Sequence, residues 1–386
     1  MTELPLLFTP IDIRSVRLSN RIVISPMCQY SAQDGMAGDW HFAHLSQFAI
    51  GRAGCIFFEA SAVSPQARIT HGDLGIWSDA HADAMAPIVS FIKSQGSVPA
   101  LQIAHAGRKA SMQRPWHGNG PMDDSDTARG ETPWPVVGAS AEALDEGWLV
   151  PHALETTEIS GIVDQFVTAA KRAEAAGFDV LEIHGAHGYL IQSFLSPLSN
   201  KRNDEYGGDL SGRMRLALDV TQAVRAVWPE DKPLFFRISS SDGIDGGWEI
   251  EDSVVLARAL KDLGVDVIDC SSGGNSPKGA TNSSIGRGRG FQVPFAEQIR
   301  RQAGVMTQAV GLILDGHQAE AILQDGRADL IAIGREALNT PNWPLREAQA
   351  MGLDVRHDMW PEQYGWWLGR RAYGLAKMKE AKDAAE

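Results

Sequence analysis

Short, continuously apolar runs recur along the chain, and each finishes in a polar or small residue. They read RIVISP (21–26), CIFFEA (55–60), VPALQIAHAG (98–107), FDVLEIHG (178–185), PLFFRIS (233–239), VDVIDCSS (265–272), VMTQAVG (305–311) and ADLIAIGR (328–335). Most are too short for helices and too unbroken for a sheet with one wet face. A strand covered on both faces reads this way, so buried parallel strands are predicted. Between the runs lie segments with apolar residues three and four apart. Residues 78–96 open on Ser78 as a helix cap and close on glycine, and 158–177 also end in glycine. Residues 211–229, 251–264, 294–304 and 315–326 follow the same pattern.

Strands alternating with helices imply βαβ units, and eight of them predict an α/β fold of the (β/α)8 TIM-barrel type rather than an open doubly wound sheet. Residues 1–345 are read as one barrel domain. Two segments break the rhythm. Residues 111–152, rich in Pro, Gly and Asp, form an insertion after the third strand, and a structureless loop of that length is usually functional or a lid. Residues 346–386 form a C-terminal extension carrying WPEQYGWWLGRRAY and a charged final helix or tail, expected to pack on the barrel and at a subunit interface.

Composition narrows the class. With 44% apolar and 22% charged residues the chain can bury a large core, and a net charge of −13 disfavours nucleic acid as a partner. No apolar run is long enough for a membrane span, and the N-terminus lacks the pattern of a secretory signal. Three scattered cysteines, Cys28, Cys55 and Cys270, without a C-x-x-C, argue against a disulfide scaffold, a zinc ribbon or an iron–sulfur cluster, and fit the cytoplasm.

The active site of such a barrel lies at the C-terminal ends of its strands. Those ends supply Cys28, Glu59, Gln102, His105, Arg108, His184, His187, Arg237, Ser271, Ser272 and Arg335. The last two strands end in AVG and IGR, where small residues and Arg335 suit a phosphate. In the stretch LEIHGAHGYL, His184 and His187 leave three readings open: metal ligands with His105 as a third, rings bonded to the backbone, or two N–H donors aimed at one oxygen with Tyr189 as a nearby proton source. Cys28 reads as a nucleophile, a redox tuner or a small buried hydrophobe. GRGRG (286–290) lacks the spacing of a dinucleotide fingerprint and reads as a loop after the sixth strand or a helper for an anionic ligand.

The motifs SPMCQYSAQDG, EASAVSPQARIT, LGIWSDAH, QIAHAGRKAS, IHGAHGYLIQSFLSPLSNKRNDEYGGDLSGR and DLIAIGRE, in this order across residues 4–345, resemble the old yellow enzymes. The cysteine of SPMC and the Trp-rich C-terminus place the resemblance nearest the xenobiotic reductases and thermophilic-type ene-reductases. It implies a barrel with non-covalent FMN that oxidises NAD(P)H, as an NADPH dehydrogenase does. The reduction is of activated C=C bonds in α,β-unsaturated carbonyl or nitro compounds. It further implies that Ser25, Pro26, Met27, Cys28, Ala60, Gln102 and Arg237 contact the flavin and that Gly311, Gly334 and Arg335 hold its phosphate. His184 and His187 would bind the substrate's carbonyl oxygen, Tyr30 would touch the ligand, and Tyr189 would donate the proton. No metal is expected, and Cys28 would tune the flavin.

The chain departs from these relatives in its long insertion and in Trp366 and Trp367. One of these tryptophans, Trp367 foremost, or Arg370 is expected to complete a neighbour's site in a homodimer or homotetramer. The iron–sulfur branch of the superfamily is ruled out because no cysteine follows Cys270. Two rivals stay open: a flavin-binding redox sensor acting through Cys28, and a metal-dependent barrel hydrolase.

Overall fold

The computed structural model describes residues 4–276 and 286–384. The first three and last two residues of the chain, which the domain boundaries above include, lie outside these. Eight strands close into a parallel barrel: β1 (Ile22–Ile24), β2 (Cys55–Ala62), β3 (Val98–Ala104), β4 (Val180–Gly185), β5 (Leu234–Ser239), β6 (Val267–Ser271), β7 (Met306–Ala309) and β8 (Leu330–Ile333). Each pairs with its sequence neighbours, and β8 returns to β1 with Ile331 opposite Ile22 and Ile333 opposite Ile24. All eight predicted strands are present.

Around them run α1 (Asp39–Ile50), α2 (Asp79–Ser94), α3 (Thr156–Ala175), α4 (Leu210–Arg225), α5 (Ile250–Asp262), α6 (Val293–Ala303), α7 (Gly316–Gln324) and α8 (Trp343–Ala350). Alternate residues on each strand face opposite ways, and this divides the core in two. Ile22, Ile24, Ile56, Phe58, Ile103 and Ile183 join the helix-facing layer. Val23, Cys55, Phe57, Ala100, Val180, Phe235 and Val267 fill the barrel's lower interior. Phe57 and Phe235 meet there with ring centroids 5.9 Å apart.

Two features escape the periodicity. An N-terminal hairpin, Ile11–Ile13 paired with Val16–Leu18, puts Ile13 and Leu18 against the lower interior and plugs that end. Its strands have three residues each, too few to show a period. Helix α1 buries His41 and His44 on its inner face, so polar letters stand where apolar ones are expected. Ser78 holds the N-cap position of α2 in a capping box, with His81 Nδ1 accepting from the Ser78 N–H at 3.1 Å.

The insertion is not structureless. It contains a short helix, Asp124–Ala128, whose N-cap Asp123 accepts from the Ser125 N–H at 2.8 Å. It also contains the paired segments Val137–Gly138 and His152–Ala153. Buried Asp126 ties it together, accepting from Gln113 Nε2 at 2.8 Å and from the Asp123 N–H at 2.9 Å. The C-terminal extension ends in a long helix, α9 (Glu362–Asp383), none of whose residues is buried. Among the described residues no helix is long and apolar enough to cross a membrane.

Candidate active site

Two residues above the apolar floor, the inward positions turn polar. Val23 gives way to Ser25, Phe57 to Glu59 and Ala100 to Gln102. Val180 is followed by Glu182 and His184, Phe235 by Arg237, and Val267 by Asp269; all these polar residues are buried. Of the strand-end residues expected from sequence, Glu59, Gln102, His184 and Arg237 therefore share this upper interior, with Arg237 directly opposite His184 in the sheet register.

The turn after β4 is held from several sides. His187 has a left-handed φ of 61° and Gly188 a φ of 74°. A Cβ on Gly188 would sit 2.2 Å from the Gly274 carbonyl oxygen, so only glycine allows the turns after β4 and β6 to touch. The His187 N–H donates to Ser239 Oγ at 2.9 Å, and Ser239 donates onward to the Gly273 carbonyl at 2.7 Å. Lys109, just beyond β3, donates from Nζ to the carbonyls of His187 at 2.8 Å and Gly274 at 3.1 Å.

On this frame the rings of His184 and His187 lie 5.2 Å apart, and Tyr189 lies 5.1 Å from His184. His184 Nδ1 accepts from the Ala186 N–H at 3.4 Å, which leaves its proton on Nε2. His187 Nε2 is 2.7 Å from Ser271 Oγ; with that hydroxyl donating, the ring carries its proton on Nδ1. Burial, with Arg237 next in weight, holds both histidines well below the usual imidazole range. Burial, then Cys28 and Asp73, pushes the Tyr189 phenol well up. The turn thus presents two uncharged imidazoles beside a protonated phenol, and with Ser271 donating to His187 both rings offer an N–H to an oxygen that gains negative charge. The third ligand of the metal reading, His105, is occupied otherwise: its Nδ1 accepts from the Gly107 N–H at 3.0 Å. Among the described residues, ligand-type side chains gather at His117, Asp126 and Glu131 in the insertion, away from this pair.

Cys28 and Tyr30 face the same mouth and share an apolar cluster with Tyr189, Ile69, Ala106 and Trp134. Their segment rests on Glu59, whose carboxyl meets the backbone N–H groups of Gln29 and Tyr30. Burial pushes the Cys28 thiol well up, and neighbouring Asp73 and Glu59 add to it. A nucleophile or redox sensor needs a thiolate, so this setting disfavours both. Tyr30 has a left-handed φ of 49°; Arg114 of the insertion donates to its carbonyl at 3.0 Å, and Trp116 packs edge-on to its ring at 6.0 Å.

Deeper in, Gln102 Nε2 donates to Glu182 Oε1 at 2.7 Å, and Arg237 Nε lies 3.2 Å from Asp269 Oδ2. Burial pushes both Glu182 and Asp269 up, against the pull of Arg237. One guanidinium is shared between two buried carboxyl groups, so its pull on each falls short of the cost of burial. Ser25 Oγ and the Gln308 side-chain carbonyl oxygen are buried without hydrogen-bond partners. Such groups need polar partners, and a planar cofactor with carbonyl and ring-nitrogen edges supplies them.

At the ends of β7 and β8, a cavity of about 210 Å³ is lined by Gly311, Leu312, Gly334, Arg335 and neighbours. Gly311 has a φ of 112°, and a Cβ there would press on Phe291 and Gln292 at 2.9 and 3.0 Å. This cradle fits a phosphate. GRGRG borders it: Gly290 donates to the Leu312 carbonyl at 3.1 Å, and Arg289 pairs with Asp315 at 2.9 Å.

A family model described as the NADH:flavin oxidoreductase / NADH oxidase family matches residues 6–353. The chain belongs to this family. The NADPH dehydrogenase of Bacillus subtilis (strain 168) is 46% identical over 364 residues, 93% of this chain and 99% of the relative. That of Geobacillus sp. (strain WCH70) is 44% identical over 363 residues, 94% and 98% of the two chains. Among solved structures, the old yellow enzyme homologue from Zymomonas mobilis has a TM-score of 0.74 at 27% identity, covering 90% of this chain and 93% of that one. The old yellow enzyme resemblance holds, and the chain is a flavin oxidoreductase that uses FMN with NAD(P)H.

Three residues of the mouth stand outside the sequence reading's assigned roles: Lys109, Asp73 and Glu182. Lys109 follows Arg108 in AHAGRKAS, so its place at a strand's end was a signal. Asp73 lies in a loop and had none. Trp367 is not brought to the mouth of its own barrel; it is 68% exposed on α9 and stacks edge-on with Trp366.

Proposed function

We propose that this family member reduces activated C=C bonds of α,β-unsaturated carbonyl or nitro compounds at the expense of NAD(P)H. The observation that carries the reading is the neutral His184/His187 pair on the same turn as protonated Tyr189. Ser25, Pro26, Met27, Cys28, Ala60, Gln102 and Arg237 would hold the FMN ring, and Gly311, Gly334 and Arg335 its phosphate. When bound, FMN would supply the two-electron redox chemistry that links NAD(P)H to the substrate's C=C bond. His184 and His187 donate to the carbonyl or nitro oxygen and favour the negative charge that develops there; a single such donor is worth about 10²–10³ in rate. Tyr30, in one apolar cluster with Tyr189, would touch the ligand. Tyr189 gives its proton to the α-carbon. A redox sensor working through Cys28 is the weaker reading, because the thiol is kept protonated.

We further propose that the protein is a cytoplasmic homodimer or homotetramer in which Trp366, Trp367 or Arg370 reaches a neighbour's mouth. Supporting this, α9 buries none of its residues while exposing Tyr364, Trp366, Trp367 and Tyr373. A chain ending at residue 355 should then be monomeric with altered kinetics for bulky enones; unchanged kinetics would rule this out.

The test of the main reading is spectroscopic. A phenolate that docks on the histidine pair of the yellow, FMN-loaded protein should produce a long-wavelength charge-transfer band. A band that persists in a His184→Ala/His187→Ala variant would overturn the assignment.

A further inference from the structure

The Lys109 ammonium is tied to two backbone carbonyls from different loops, those of His187 and Gly274, at 2.8 and 3.1 Å. It also stands 5.2 Å from the centroid of the Tyr189 ring. Among the described residues no carboxylate forms an ion pair with it. Half-buried Lys109 is therefore a cation held in place by dipoles alone, its charge uncancelled toward the mouth. Burial and the neighbouring Arg108 lower its pKa to about 8, which leaves it mostly charged at neutral pH. Its field also adds to the forces that keep His184 and His187 neutral.

A lysine whose only task was to join two loops could be replaced by a neutral donor. A cation over the face of a phenol does something more. It is attracted weakly by the neutral ring and strongly by a phenolate, because the second interaction is between full charges in a partly dry site. We propose that Lys109 is a positioning residue for proton transfer, stabilising the phenolate that Tyr189 becomes when it protonates the substrate. This rests on the reading of Tyr189 as the proton donor. In the step, the Tyr189 O–H bond breaks, a C–H bond forms at the substrate's α-carbon, and the electron pair stays on the phenolic oxygen of the ring that Lys109 faces. Solvent then returns the proton to that oxygen.

The test uses the FMN-loaded, NADPH-reduced protein and two oxidants: 2-cyclohexenone, which needs a proton delivered to carbon, and ferricyanide, which does not. Lys109→Gln keeps hydrogen-bond donors and removes the charge; Lys109→Met is the second neutral variant should the first not fold. Each is matched for FMN content before rapid mixing. Reoxidation by cyclohexenone should slow about tenfold, the effect of about one pKa unit on the donor, while reoxidation by ferricyanide stays unchanged. Lys109→Arg should restore the rate to within about threefold, since it keeps a cation in reach. In a Tyr189→Phe background the same Lys109 substitution should have no further effect.

Equal slowing with both oxidants, or full slowing in the Tyr189→Phe background, would show a purely structural lysine and overturn the inference while leaving the functional reading intact. A Tyr189→Phe variant that reduces cyclohexenone at the normal rate would instead remove the proton-donor reading, and this inference with it.

Discussion

The lower and upper halves of the barrel interior are built from the same strands, two residues apart, and obey opposite rules. Below, Val23, Phe57, Ala100, Val180, Phe235 and Val267 close on one another and on the hairpin residues Ile13 and Leu18. Nothing polar is stranded there. Above, Ser25, Glu59 and Gln308 are buried with polar atoms that have no hydrogen-bond partner. An unpaired buried polar atom costs about 1–3 kcal/mol, so the mouth's side chains are set to be satisfied by a polar ligand, whereas the floor is satisfied by its own packing. The floor is therefore where mutations should affect folding, and the mouth is where they should affect chemistry.

The largest expected effect is at the mouth. His184→Ala/His187→Ala should lower enone reduction by roughly 10³-fold or more, with the urea midpoint nearly unchanged. Stopped-flow reoxidation and an unfolding curve on the same sample would check both halves of the statement. Next comes the floor. Phe235→Ala should cost about 3–5 kcal/mol of stability, while protein that remains folded keeps its enone rate; an equally large loss of rate per bound FMN would erase the contrast between the halves.

The third prediction concerns pH. Burial lowers His41 and His44 in α1 to about 4. The unfolded chain takes up these protons below about pH 6.5 and the folded chain only near pH 4. Their contribution is thus present above pH 6.5 and lost as pH falls toward 4. Asp73, raised to about 6, works in the opposite direction, its burden growing as pH rises from about 4 to 6. His44→Phe should flatten the loss of stability between pH 6.5 and 4 by about 1–3 kcal/mol, read from urea midpoints at several pH values. A variant as acid-sensitive as the parent would contradict the buried-neutral account. The smallest effect is expected at the rim. Trp116→Ala removes an edge-on contact with Tyr30, worth about 0.5–1.5 kcal/mol, and should raise the KM for bulky enones a few-fold without altering the ferricyanide rate.

The reach of sequence reading differs between these regions for a physical reason. The eight strands were legible because burial on both faces leaves unbroken apolar runs, and strand ends in a barrel point to one mouth. The cavity at Gly311 and Gly334 lies where the ends of the last two strands were read to meet. Helix α1 was missed because buried histidines mimic a polar face, and the hairpin because three residues cannot display a period. Asp73 was missed because it sits in a loop with no register. The helix and paired segments of the insertion were hidden by its Pro, Gly and Asp content. They form through Asp123 and Asp126, whose partners are spread along the segment.

The sequence by itself determined the barrel, the order of its strands and the short list of polar residues at their ends, since these depend on local periodicity and chain order. Only the tertiary structure decided the surroundings of the two histidines. It put the His184 proton on Nε2, set Ser271 against His187 and left both rings neutral by burying them near Arg237. It also separated Trp367 from the mouth of its own chain and placed Lys109 over Tyr189. Such facts depend on which loops approach one another, here through Gly188 and Gly274, and on how much water that approach excludes. Neither quantity is carried by any single stretch of the chain.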